Sequence, residues 1–338
     1  MIPLSAGIFF TSGVAALLYQ VIWQRLLALF SGADLYSVTI IVAAFMGGMG
    51  VGHLVGGYLA DRLSARAALI GFAISELSIA VFGYFSGTLY YDVLYQRFGY
   101  LDISAPAMGG LLFLSLLWPT FFMGASLPLL ARALTDRIDR AASVIGVLYG
   151  VNTLGAAAGA LVSTWWLLPR LGLDGTLRVG AALNVACAVA LVAASALTRQ
   201  ARTAAAAAPS VAPAASASDG IDADGPSLPF SVWAVIYAAS GLVALALEVV
   251  WFRLLTVMMK GTAFTFGTLL GVYLTGLGVG ALVGSAVAPR IRRPAIAFLT
   301  MQACIGLTAL GLLAVFMRRV DDIPVIAAYL ASYEPLNV

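Results

Sequence analysis

The sequence predicts an all-α, polytopic membrane bundle of about nine transmembrane helices, organised as a parallel internal repeat. Three observations carry that prediction. Of the 338 residues, 62% are hydrophobic and only 10% charged, and the mean hydropathy is +1.00. A soluble chain of this length needs far more polar residues to cover its surface. The apolar residues fall into runs of about 20, the length at which a helix crosses a hydrocarbon core. Finally, residues 12–25, SGVAALLYQVIWQR, return without a gap as residues 240–253, SGLVALALEVVWFR.

The register of the repeat persists. Residues 45–56 read FMGGMGVGHLVG and residues 273–284 read YLTGLGVGALVG, which sets Gly48, Gly52 and Gly56 against Gly276, Gly280 and Gly284. A period this long implies two copies of one structural unit rather than a solenoid.

Charge and cysteine usage exclude several classes. The formal charge of +3, from 18 basic and 15 acidic residues, is too small for a nucleic-acid binder. Cys187 and Cys304 lie far apart in apolar runs, so neither a disulfide framework nor a metal cluster is expected. The first apolar run lacks both a preceding basic region and a small-residue cleavage pattern, and reads as a retained span.

Taken in order, the first span covers residues 4–22, closed by Trp23 as an interfacial aromatic and Arg25 as a snorkelling cation. The second, 36–60, holds the glycine ladder and stops at Asp61-Arg62. The third, 67–89, contains Glu76 and is followed by the polar, aromatic connection YYDVLYQRFGYLDISAP. The fourth, 107–130, contains Pro119 and Pro128, which are expected to kink it or end its regular part early. Residues 144–168 and 179–197 complete the first membrane repeat, residues 1–197, of about six spans. Residues 198–229, rich in Ala, Pro and Ser, read as a flexible cytoplasmic linker. A second, incomplete repeat, 230–316, has about three spans at 230–250, 264–287 and 295–316, before a terminal segment, 317–338.

Arginines set the expected orientation. Arg62 and Arg66, Arg132, Arg137 and Arg140, Arg199 and Arg202, and Arg290, Arg292 and Arg293 all fall in alternate connections. The positive-inside rule makes that side cytoplasmic, together with the N-terminus. Arg318 and Arg319 fall on the other side, offset by Asp321 and Asp322.

Several residues invite a functional reading. Gly48-x-Gly50-x-Gly52 superficially matches a dinucleotide fingerprint, but it lies inside an apolar run and Asp61 comes too early. The i, i+4, i+8 spacing of Gly48, Gly52 and Gly56 instead clears a helix face for close packing. Gly276, Gly280 and Gly284 are expected to do the same in the second copy, as are Gly155 and Gly159 in the fifth span. His53, the single histidine, has no cysteine or acidic cluster to make a metal site, and a structural role facing the bundle interior is expected. Glu76 and Glu248 are carboxylates at hydrocarbon depth, which mark either a pathway or an interhelical contact. With Gln20, the counterpart of Glu248, and with Asn152 and His53, they make up a candidate intramembrane polar site. No catalytic, cofactor-binding or metal-ligating constellation is recognisable.

The segments SGVAALLYQVIWQRLL, FMGGMGVGHLVGGYLADR and LYGVNTLGAAAGALVSTWWLLPRLG together resemble the membrane part of bacterial fused major-facilitator/spermidine synthase-like proteins. The resemblance implies a major-facilitator-like bundle in the bacterial inner membrane. Gly57-x-x-x-Asp61-Arg62 also resembles the major-facilitator motif after the second helix, which implies a cytoplasmic latch at Asp61 and Arg62. Longer members of the family carry a soluble aminopropyltransferase domain, and no stretch of this chain is polar and long enough to be one. The expected function is an integral-membrane scaffold or partner-binding module. Its expected partners are membrane lipids and other membrane subunits or a soluble domain, not nucleic acid. The alternatives are a transporter of polyamines or other small solutes, and a membrane anchor for an aminopropyltransferase domain missing from this chain or encoded separately.

Overall fold

Apolar runs of this length leave the backbone one economical way to satisfy its N–H and C=O groups, and the described chain is helical with no strand. The computed structural model describes residues 2–31, 34–97, 104–134, 138–205, 229–258, 264–319 and 324. In chain order the helices are α1 (Ile2–Ser31), α2 (Asp34–Arg62), α3 (Ala65–Gly87), α4 (Ala105–Leu134), α5 (Ile138–Val162), α6 (Leu168–Ala205), α7 (Phe230–Met258), α8 (Thr265–Val287) and α9 (Pro294–Arg319). Two π-helical stretches, Thr88–Arg97 and Ser163–Leu167, follow α3 and α5. By length and composition, 8 helical stretches among the described residues can cross a membrane. One of them, Val144–Ala196, is 53 residues long and is interrupted at Gly172, whose φ of 67° is readily accessible only to glycine.

The chain divides into two units. The first comprises Met1–Ala201 with Ala263–Pro289, and holds α1 to α6 (as far as Ala201) and α8. The second comprises Arg202–Thr262 with Arg290–Val338, and holds α7 and α9.

Within the first unit, α1 is the hub. Phe9, Ala15, Leu18, Tyr19, Ile22, Trp23, Leu26 and Leu27 are all buried. Contacts fix the relative directions of the helices. Gly155 of α5 meets Phe10 and Gly159 meets Val14, so α5 runs parallel to α1. Ser12 bonds Glu76 and Trp23 bonds Ser86, so α3 also runs parallel to α1. Cys187 bonds Ile8 while Gly180 meets Tyr19, so α6 runs antiparallel to it. The 53-residue stretch therefore doubles back at Gly172. On α2, Gly48, Gly52 and Gly56 meet Thr120, Gly124 and Pro128 in turn, a parallel pairing with α4. Gly146 and Gly150 of α5 meet Ser285 and Leu282, while Leu154 and Leu161 meet Gly278 and Gly271, so α8 is antiparallel to α5. Because α4 is antiparallel to α3 (Gly71 meets Leu129, and Tyr90 bonds Ser115), α8 shares the direction of α2.

The second unit is described by itself. There Phe298 of α9 packs edge-on to Trp233 of α7, with ring centroids 6.3 Å apart, and lies 6.3 Å from Tyr237. No residue in the apolar window of α9 is fully buried, as lipid-facing helices are permitted to be.

Several expectations change. Pro119 and Pro128 do not end α4, which continues through both to Leu134. Trp23 does not close its helix: α1 runs on past it to Ser31, and the ring is fully buried among the neighbouring helices. The connection after the third span begins as a π-helical extension whose Tyr90 is buried. The helix α6 continues to Ala205, so the first residues of the expected linker are helical. Residues 206–228, and the terminal segment beyond Arg319 apart from residue 324, lie outside the described residues.

Candidate functional site

Three helices of the first unit present polar groups to one another at heptad-like intervals. A spacing of seven residues is about 10.5 Å along a helix and returns to nearly the same face. Ser12 and Tyr19 are so spaced on α1, as are Glu76 and Gly83 on α3, while Gly180 and Asn184 lie one turn apart on α6. The result is two layers. In one, Ser12 Oγ donates to Glu76 Oε1 at 2.7 Å and Asn184 Nδ2 donates to Glu76 Oε2 at 2.6 Å. In the other, the Tyr19 ring fills the space left by two missing Cβ atoms: one at Gly83 would overlap the ring, and one at Gly180 would lie 2.8 Å from it.

Glu76 is 0% exposed, Asn184 1% and Ser12 6%, so this is a centre closed off from the surface. Two of its atoms lack partners among the described residues, Asn184 Oδ1 and Tyr19 Oη. Below it, Cys187 donates its thiol to Ile8 O at 3.3 Å. Above it, Trp23 stacks on Tyr19 with centroids 5.1 Å apart and donates Nε1–H to Ser86 Oγ at 2.8 Å.

Of the expected polar site, the four residues that belong to the first unit are not gathered here. Glu76 lies at the centre, but Gln20 is buried without a recorded bond to it. Asn152 serves a different face of α1, donating from Nδ2 to Phe9 O at 2.9 Å. His53 does not face the bundle interior: it is exposed, and its Nδ1 lies 2.7 Å from Met49 O of its own helix. Glu248 is on α7, in the second unit. Ser12 stood inside the repeated motif, and its recurrence was the signal available for it. Asn184 was missed because a single amide in an apolar span has no pattern of its own.

The glycine faces also divide. A Cβ at Gly52 would overlap Phe121 O and come within 3.0 Å of Ala125 N, and one at Gly56 would lie 2.8 Å from Ala125 Cα. Backbones that approach this closely leave no room for a side chain. Around Gly276, Gly280 and Gly284 nothing among the described residues lies within 4 Å of such an atom. The face that α8 packs is instead Gly267, Gly271 and Gly278, against α5 and the π-helical turn after it. At the expected latch, Asp61 and Arg62 are exposed. Arg62 stays on its own helix, with its guanidinium 3.5 Å from the Tyr58 ring centroid and Nη1 bonded to Tyr58 O. The bond across helices here comes from Arg132 of α4, whose Nε donates to Leu63 O at 3.1 Å.

Among the described residues no group of three or more His, Cys, Asp or Glu side chains is placed to hold a metal ion. No family model matches the chain, and no solved structure matches it significantly. It is similar to the polyamine aminopropyltransferase 1 of Streptomyces coelicolor, 29% identical over 185 residues, which is 54% of this chain and 32% of that protein. The polyamine aminopropyltransferase of Mycobacterium tuberculosis is 29% identical over 186 residues, 51% of this chain and 32% of that protein. The similarity thus covers about half of this chain but only 32% of the length of the relatives it matches.

Proposed function

We propose that the chain is the membrane module of a polyamine aminopropyltransferase-like protein, a scaffold that holds a soluble catalytic portion or partner subunits at the bacterial inner membrane. The observation that carries this reading is the partial match: these relatives are named for aminopropyl transfer, yet 32% of their length suffices to cover half of this chain. The architecture we infer is major-facilitator-like, with about six crossings before the linker and about three after it, and a cytoplasmic N-terminus. The reversal at Gly172 supports counting two crossings in the Val144–Ala196 stretch. The shared direction of α2 and α8 supports a parallel repeat for that pair.

The test is expression of the chain alone. It is expected in the membrane pellet after alkaline carbonate washing, without aminopropyl transfer to polyamines. Co-expressed with a relative's soluble portion, it is expected to bring that portion into the membrane fraction. Release by carbonate, or transfer by the chain alone, would contradict the proposal. The alternative, transport of polyamines or other small solutes, requires flux into proteoliposomes above that of empty vesicles.

A further inference from the structure

Glu76 leaves one charge to be accounted for. Its carboxyl is fully buried, and the two side chains that reach it, Ser12 and Asn184, are neutral. Among the described residues, the titratable groups that face it are Tyr19 from α1 and Cys187 from α6, both within electrostatic reach and neither a source of positive charge. Of the other elements packed on α3, α4 has Arg132 as its single charged side chain, and that residue serves Leu63 at the end of the helix. Asp92 and Arg97 belong to the π-helical extension, beyond Gly87. On α3 itself the other charged residue is Arg66, exposed in the first turn.

A lone anion at hydrocarbon depth is strongly unfavourable. The centre is therefore stable only with one positive unit charge beside the carboxyl. The remaining unsatisfied capacity points the same way. Asn184 Oδ1 is buried without a partner among the described residues, on the amide whose nitrogen touches Glu76, and Tyr19 Oη is a second such oxygen one layer away. Oxygen donors with a single carboxylate suit a hard monovalent cation and not a soft or divalent metal.

We propose that the Ser12–Glu76–Asn184 centre binds one hard monovalent cation on oxygen, a proton or a sodium ion, and that the bound ion locks α1, α3 and α6 together. This goes beyond the scaffold reading and does not rest on it. With the full chain purified into lipid nanodiscs, thermal unfolding is followed over roughly 1–100 mM sodium chloride, with choline chloride holding the ionic strength constant. A sodium site raises the midpoint by on the order of a few degrees across that range. Glu76→Gln, whose neutral amide needs no counter-ion, abolishes the rise. If the ion is a proton, the midpoint ignores sodium, and the infrared spectrum at neutral pH contains a protonated-carboxyl band. That band is lost in Glu76→Gln and displaced in Ser12→Ala. Should Glu76→Gln not fold, the displacement in Ser12→Ala identifies the band. An unmodified protein with neither a sodium response nor a protonated-carboxyl band overturns the proposal. So does a sodium response of equal size in Glu76→Gln.

Discussion

Trp23 stacks on Tyr19, meets Phe45 and Phe82 at centroid distances of 6.0 and 5.4 Å, and donates its indole N–H to Ser86. A buried N–H without an acceptor is costly, more so where no water can replace it. Ser86→Ala removes that acceptor and leaves the ring in place, so detergent-induced unfolding is expected to show a loss of about 1–3 kcal/mol. A loss within error of zero would mean that the indole finds another acceptor. Trp23 also shows where reading the sequence stops. An aromatic followed by Arg25 resembles a membrane-interface girdle, but α1 continues to Ser31 and carries the ring into the core. Nothing local marks that difference, because it depends on how far the next helices reach. Glu76 was legible as an anomaly, since a carboxylate inside an apolar run demands an explanation. Its partners were not, because Ser12 and Asn184 are 64 and 108 residues away in sequence.

At the scale of the helix, identical glycine ladders have different neighbours. The spacing of Gly48, Gly52 and Gly56 recurs as Gly276, Gly280 and Gly284, yet only the first set meets a backbone within 4 Å. Gly52→Leu is therefore expected to destabilise the bundle by about 1–3 kcal/mol through overpacking, since its neighbours are Phe121 O and the backbone of Gly124 and Ala125. Gly280→Leu is expected to leave the unfolding midpoint nearly unchanged, because the added side chain enters open space. Equal losses in the two variants would show that α8 is covered there. Gly150→Leu, directed at Leu282 of α8 with a 2.7 Å approach, belongs with the first group. Periodicity located these helices and their small-residue faces. It did not say which copy is covered, because spacing is a property of one helix and a contact needs two. The prolines of α4 make a related point. Thr120, next to Pro119, donates to Leu116 O at 2.7 Å and to Ala44 O of α2 at 3.2 Å. The residue after the proline thus ties α4 to α2, in a helix that continues past a residue able to break an isolated one.

Across the whole molecule the account depends on alternation. Contacts in the first unit make α1, α3 and α5 parallel, with α2, α4, α6 and α8 opposed to them. Composition and run length announced a membrane bundle, and the gapless repeat announced two copies of a unit. Run length also separated spans 144–168 and 179–197, and the Val144–Ala196 stretch reverses between them, at Gly172; the residue that makes the turn was not legible, since a short polar connection has many possible conformations. If the first unit spans a membrane as these directions require, the turn between α2 and α3 and the turn between α5 and α6 lie on opposite faces. The most direct measurement is sided labelling of single cysteines in sealed vesicles, using Ala65→Cys and Leu171→Cys on a background in which Cys187 and Cys304 are replaced by alanine. A membrane-impermeant maleimide is expected to label position 65 only from the cytoplasmic side and position 171 only from the opposite side. Labelling of both positions from the same side would contradict the alternating membrane bundle.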